Sequence, residues 1–172
     1  KYIAAAATEK NLVDYQYMFS RVHLLDLSDK SMRQVTENPG KLGNYVFSPD
    51  GKHLVYTAAR ELKDHAVSQV YVMSLPSGEP RNLTIDNFRG HVEWASWLDN
   101  KTVMYYSGEG TKTTLSSIKI DAGSGSERKI LLSSENTGGV VFERPTGTKG
   151  FSEMALIGES PLYPEEVFYW KK

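Results

Sequence analysis

Hydrophobic and polar residues alternate along most of the chain in short runs, each broken by glycine, proline, asparagine or aspartate. Leu54 and Tyr56 share one face of such a run, and Val70 and Val72 share a face of another. That is the period-two pattern of a half-buried strand. The runs are rich in Val, Ile, Tyr and Thr. Their breaks read Pro49-Asp50-Gly51, Asp99-Asn100 or Ser-Gly, as in the polar turn expected at Gly123-Ser124-Gly125-Ser126. Gly and Asn tolerate the positive φ that hairpin turns require. Helical periodicity is absent over any useful length; Tyr15 to Met18 offers either a helical turn or, in preference, an aromatic strand.

The pattern repeats. Ser20-Arg21-Val22-His23-Leu24 aligns with Ser68-Gln69-Val70-Tyr71-Val72, and without a gap Arg33-Gln34-Val35-Thr36 meets Arg81-Asn82-Leu83-Thr84. Val22, Val70, Ile118 and Val167 mark one position at a spacing of about 48 residues; Arg33, Arg81 and Lys129 mark another, and Val35, Leu83 and Leu131 a third. A second segment repeats independently. Gly43 to Lys52 leads into Leu54-Val55-Tyr56, as Trp94 to Lys101 leads into Val103-Met104-Tyr105, with a degenerate version from Val140 through Pro145 to Leu156. In the best copy one repeat holds about four strands, near Tyr45, Leu54, Val70 and Leu83, which is the size of a propeller blade. A β-sandwich has no reason to repeat a turn sequence at this interval. The expected fold is all-β, a β-propeller fragment of about three to four four-stranded blades. It forms one partial domain over 1–172, with approximate repeats 1–42, 43–90, 91–138 and 139–172. Fewer blades than a closed ring leave apolar blade faces open, so self-association through those faces is expected.

Composition narrows the chemistry. With 20 basic and 21 acidic residues among 172, a formal charge of −1 gives no footprint for nucleic acid. No apolar run approaches the length of a membrane span. The absence of cysteine removes disulfides, thiolate metal sites and a cysteine nucleophile, and leaves the compartment open between cytoplasm and periplasm for a soluble chain. No cofactor motif is present.

Phe47-Ser48-Pro49-Asp50-Gly51-Lys52, followed by Gln69-Val70-Tyr71-Val72-Met73 and Arg81-Asn82-Leu83-Thr84, resembles the repeat of TolB-type propellers. The same repeat builds the non-catalytic domain of prolyl oligopeptidase family serine peptidases. Ala155 to Ser160, Pro161 and Pro164-Glu165-Glu166-Val167-Phe168-Tyr169-Trp170 are similar to the final blade of acylaminoacyl- and dipeptidyl-peptidase-like members. The resemblance implies a substrate-gating portion whose partners are the remaining blades, an α/β-hydrolase domain and short peptide substrates. A TolB-like propeller serving as a protein-binding module is the alternative. The Gly-x-Ser-x-Gly nucleophile elbow of the hydrolase domain does not occur in this sequence, so no catalytic residue is expected in the chain.

Other constellations carry less. Asp64, His65 and Ser68 lie close in sequence, but a polar inter-strand loop does not preorganise a triad. His23, His53, His65 and His91 show no metal-ligand spacing, and Asp50-Gly51 lacks the remaining positions of a calcium loop; no metal site is expected. Trp94 reads as a blade-packing residue, while Trp97 at the turn is less constrained. Glu165-Glu166 reads as a solvated sheet edge. Arg60, Arg89 and His91, placed in loops beside strands, are the candidates for ligand contact.

Overall fold

The computed structural model describes residues 1–85, 88–121 and 128–171; the turn expected at Gly123–Ser126 lies outside them. The strands form four antiparallel sheets in chain order. The first contains β1 (Tyr2–Ala7), β2 (Arg21–Asp26) and β3 (Met32–Gln34). The second contains β4 (Leu42–Phe47), β5 (His53–Ala59), β6 (Ser68–Ser74) and β7 (Arg81–Asn82). The third contains β8 (His91–Trp97), β9 (Thr102–Glu109), β10 (Lys112–Lys119) and β11 (Lys129–Ser133). The fourth contains β12 (Val141–Phe142), β13 (Thr146–Gly147), β14 (Glu153–Ser160) and β15 (Tyr163–Lys171). Val22, Val70, Ile118 and Val167 fall in β2, β6, β10 and β15, so the sequence repeat is a structural one.

Each sheet is a blade, and the blades stack face to face. Leu54, Tyr56 and Ala58 of β5 pack with Val22 of the first blade, while Val55 points the other way and packs with Trp97, Val103 and Tyr105 of the third. In β9, Met104 and Tyr106 face Phe142, Met154 and Leu156 of the fourth blade. The period-two reading of β5 therefore needs correcting: every residue from Leu54 to Ala59 is buried, because both faces are covered. Burial of both faces turns alternation into a continuous apolar run.

Polar contacts clamp the junctions. The Tyr45 hydroxyl accepts the Ala6 N–H at 3.0 Å, and the Trp97 indole donates to Val46 O at 3.1 Å. The Tyr106 hydroxyl donates to Phe142 O, and Phe142 N–H donates to Thr113 Oγ1 at 3.0 Å. A β-bulge between Leu42 and Tyr45 recurs between Val92 and Trp94. At the first bulge a Cβ on Gly43 would lie 2.1 Å from Thr57 Oγ1. Only glycine lets that hydroxyl approach and accept the Asn44 N–H at 3.1 Å.

Two elements depart from expectation. Val13–Phe19 is a helix, α1, between β1 and β2. It buries no residue, so it leaves no amphipathic pattern to read. Local contacts hold it: Tyr15 and Phe19, one turn apart, have ring centroids at 4.5 Å, and Gln16 donates to Asn11 at 2.9 Å. In the fourth blade the inner edge is split. β12 and β13 both pair with the same side of β14, separated by Glu143-Arg144-Pro145, and Pro145 has no N–H to give a ladder. Among the described residues no helix is long and apolar enough to cross a membrane.

Candidate functional site: the loop face

Antiparallel order sends alternate connections to opposite ends of the blades. One end carries α1, the crossovers preceding β4 and β8, the loop Arg60–Val67 between β5 and β6, and the turn after β9. Arg60 and Arg89 both lie on this end and both are exposed. His91 belongs to it as well, although it is the first residue of β8 rather than a loop residue. Its Nδ1 accepts the backbone N–H of Ser68 at 3.2 Å, tying the crossover of one blade to the start of β6. The three candidates therefore share a face.

The Asp64, His65 and Ser68 group does not assemble. Asp64 turns to Lys41, whose Nζ lies 3.6 Å from its carboxylate and also donates to its backbone carbonyl. Lys41 further donates to the Tyr17 hydroxyl at 3.1 Å and sits 4.9 Å from that ring's centre. The Tyr17 hydrogen bond is the main reason the Lys41 ammonium is held above its ordinary pKa; slight desolvation works against it. Lys41 thereby fastens α1 to the loop of the second blade. His65 is exposed, and Ser68 is engaged through its backbone.

Behind this face lies an ion pair that sequence reasoning missed. The Arg128 guanidinium is bidentate on Glu109, with Nη1 to Oε2 at 2.8 Å, and donates through Nε to Ser116 Oγ at 2.9 Å. Its Cζ lies 5.4 Å from the Phe88 ring centre and 5.8 Å from that of Tyr105. Burial pushes the Glu109 carboxyl upward, but the hydrogen bonds from Arg128 and Thr114 outweigh it and leave the pKa below the ordinary value. Tyr105, desolvated between two blades, is pushed up to about 12. Partners 19 residues apart in different elements leave no local signal in the sequence.

The opposite end has a cleft of about 450 Å³ between the third and fourth blades, with Met104, Phe151, Met154 and Trp170 in its lining and Asp99 and Lys129 among its polar groups. Trp94 meets Phe151 edge-on at 5.5 Å, as a blade-packing residue would. Trp97, which the sequence left open, is 4% exposed and bridges the second and third blades. His53 also faces the third blade, 6.1 Å from Trp97 between ring centres. Glu166 is exposed on β15. Among the described residues no group of three or more His, Asp or Glu is arranged to hold a metal ion.

No protein-family model and no curated protein matches the sequence. Solved structures do. TolB from Acinetobacter baumannii matches with a TM-score of 0.64 at 22% identity, over 99% of this chain and 38% of that one. A puromycin-hydrolyzing peptidase of Mycobacterium tuberculosis matches with a TM-score of 0.64 at 12% identity, over 97% of this chain and 27% of that one. The β-propeller domain of the Trilobed protease from Pyrococcus furiosus, described as having an open velcro topology, gives 0.59 at 15% identity, over 99% of this chain and 51% of that one. The chain thus spans about half or less of the length of these structures. At such identities the likeness establishes the fold: this chain is a β-propeller segment of the kind found in TolB and in the propeller domains of prolyl oligopeptidase-family peptidases.

Proposed function

We propose that the chain is the non-catalytic, substrate-gating propeller portion of a prolyl oligopeptidase family serine peptidase. The carrying observation is the chain-long likeness to the propeller of a puromycin-hydrolyzing peptidase, over 97% of this chain. The β14–β15 hairpin supports it, since it contains the Ala155–Ser160 and Pro164–Trp170 segments that resemble a final peptidase blade. In this reading the loop face with Arg60, Arg89 and His91 lies against the α/β-hydrolase domain. The stacked blades exclude large substrates and admit short peptides with free or acylated amino termini, and hydrolysis proceeds by acyl transfer to a serine on the other domain.

The higher identity to TolB, 22%, favours a second reading in which the same face engages a separate protein. The complete coding sequence and a serine-directed fluorophosphonate label, applied to the protein as its source makes it, separate the two. A downstream Gly-x-Ser-x-Gly followed by an acid and a histidine, with a labelled serine, is the expected result. A stop codon soon after Lys172 sinks the peptidase reading and leaves the binding module.

A further inference from the structure

In the loop between β5 and β6 both carboxylates are already engaged. Glu61 pairs with Lys63 at 2.8 Å, and Asp64 with Lys41 at 3.6 Å. At the turn after β9, Glu109 is held by Arg128 and Lys112 pairs with Glu135 at 2.6 Å. Two cations of the second blade's connections are left over. Among the described residues, neither Arg60 nor Arg89 has a carboxylate within ion-pair distance, and both are exposed.

Backbone contacts gather these arginines and His91 around the start of β6. Arg60 N–H donates to Val67 O at 3.2 Å. The next residue, Ser68, donates its N–H to His91 Nδ1 at 3.2 Å, and Arg89 precedes His91 by two positions. Between them, Gly90 lies so close to β9 that an added Cβ would come 2.6 Å from Gly108 O, which fixes the backbone that carries Arg89. A ring nitrogen that accepts a hydrogen bond carries no proton, so the neutral His91 imidazole has its hydrogen on Nε2. His91 is exposed, and that N–H is a third donor beside the two guanidinium groups. Leu62, Val67 and Ile85, in the same two connections, are exposed apolar side chains.

We propose that Arg60, Arg89 and the His91 Nε2–H form a binding site for a peptide carboxylate flanked by an apolar residue. The planar guanidinium fork matches the two oxygens of a carboxylate, and charge-assisted bonds of this kind are the strong ones. The imidazole adds a neutral donor whose tautomer is set by Ser68. The carboxylates of the β5–β6 loop do not compete, because each holds its own lysine. Leu62, Val67 and Ile85 favour an apolar side chain next to the charge. A chain terminus and an acidic side chain supply the same chemistry. The site needs only the loop face, whether a hydrolase domain or a separate protein meets that face.

The test is titration of the full ¹⁵N-labelled chain with acetyl-Ala-Leu, its carboxamide, and acetyl-Glu-Leu carboxamide, read at the arginine Nε–H and histidine ring signals. At least one of the two acids should shift Arg60, Arg89 and His91 with a Kd of about 1 mM or tighter, and acetyl-Ala-Leu carboxamide should not. A response to acetyl-Ala-Leu alone assigns the carboxylate to a chain terminus; a response to the Glu peptide assigns it to a side chain. Arg60→Gln with Arg89→Gln should weaken binding at least about tenfold, the worth of one charged hydrogen bond. Amide signals away from the loop face should stay in place, since both arginines are exposed. The proposal is overturned if neither acid shifts these signals up to about 10 mM, if acetyl-Ala-Leu carboxamide binds as well as the acids, or if the double variant binds unchanged. None of these outcomes touches the serine-labelling result, so the site and the peptidase reading fail separately.

Discussion

Asn44 and Ala95 exchange two hydrogen bonds across the junction between the second and third blades. The Asn44 Nδ2 donates to Ala95 O at 2.6 Å, and the Ala95 N–H donates to Asn44 Oδ1 at 2.9 Å. The side-chain amide thus acts as a surrogate peptide group, linking β4 to β8 where no ladder exists. Ala95 is fully buried, so its two polar groups have no water to turn to. Asn44→Ala should lower unfolding free energy by about 2–3 kcal/mol, measured by urea denaturation. Asn44→Asp should recover little, since it loses the donor and brings a carboxylate to a carbonyl.

Thr84→Val keeps the shape and removes the acceptor of the Val70 N–H. The loss should be about 1–2 kcal/mol, and the Val70 amide should exchange faster with solvent. Thr36→Val should do the same at Val22. A change at both sites should be nearly additive, because the two caps share no partner.

Glu109 gives the fold a dependence on acid. Its folded pKa is lowered from the ordinary 4.5, with the Arg128 and Thr114 hydrogen bonds overcoming burial. The stabilisation is complete above the ordinary value and is lost as pH falls through the folded one. Glu109→Gln should cost about 2 kcal/mol at pH 7. The gap between variant and parent should close as pH falls through the lowered folded value, a trend that parallel denaturation series would read directly.

Arg60→Ala together with Arg89→Ala should leave the melting temperature nearly unchanged, because both residues are exposed. Association with an isolated hydrolase domain, or with a separate protein partner, should weaken at least tenfold if the loop face is the docking face. Calorimetric titration of parent and variant measures both quantities.

The outward face of the fourth blade carries Val141, Ile157, Val167 and Tyr169, all exposed. Sedimentation should show concentration-dependent association of the chain. Ile157→Lys should shift it toward monomer, because a lysine at the centre of an apolar contact must be desolvated.

Much of this architecture was legible because the repeat is written in turn residues and in the aliphatic residues flanking them. Ser48, Asp50 and Asp99 hold their hairpins through side-chain bonds to nearby backbone and hydroxyl groups, so local sequence carries the information. Helix α1 was not legible, because Tyr15, Phe19 and Gln16 bury nothing that would impose a period. Nor was the role of Trp97, whose partner Val46 belongs to the preceding blade. The candidate site divides in the same way. Arg60, Arg89 and His91 follow from strand boundaries, whereas Lys41 to Asp64 and Arg128 to Glu109 form only when distant elements converge.

The split inner edge of the fourth blade gives the array a mechanical polarity. β12 and β13 hold two residues each, interrupted at Pro145, whereas β4 and β8 hold six and seven. A stack in which each unit leans only on its neighbours yields first where an interface is thinnest. A load drawn through the C-terminus therefore meets this short pairing first. It would peel off the β14–β15 hairpin before the Asn44 clamp between the second and third blades feels any strain.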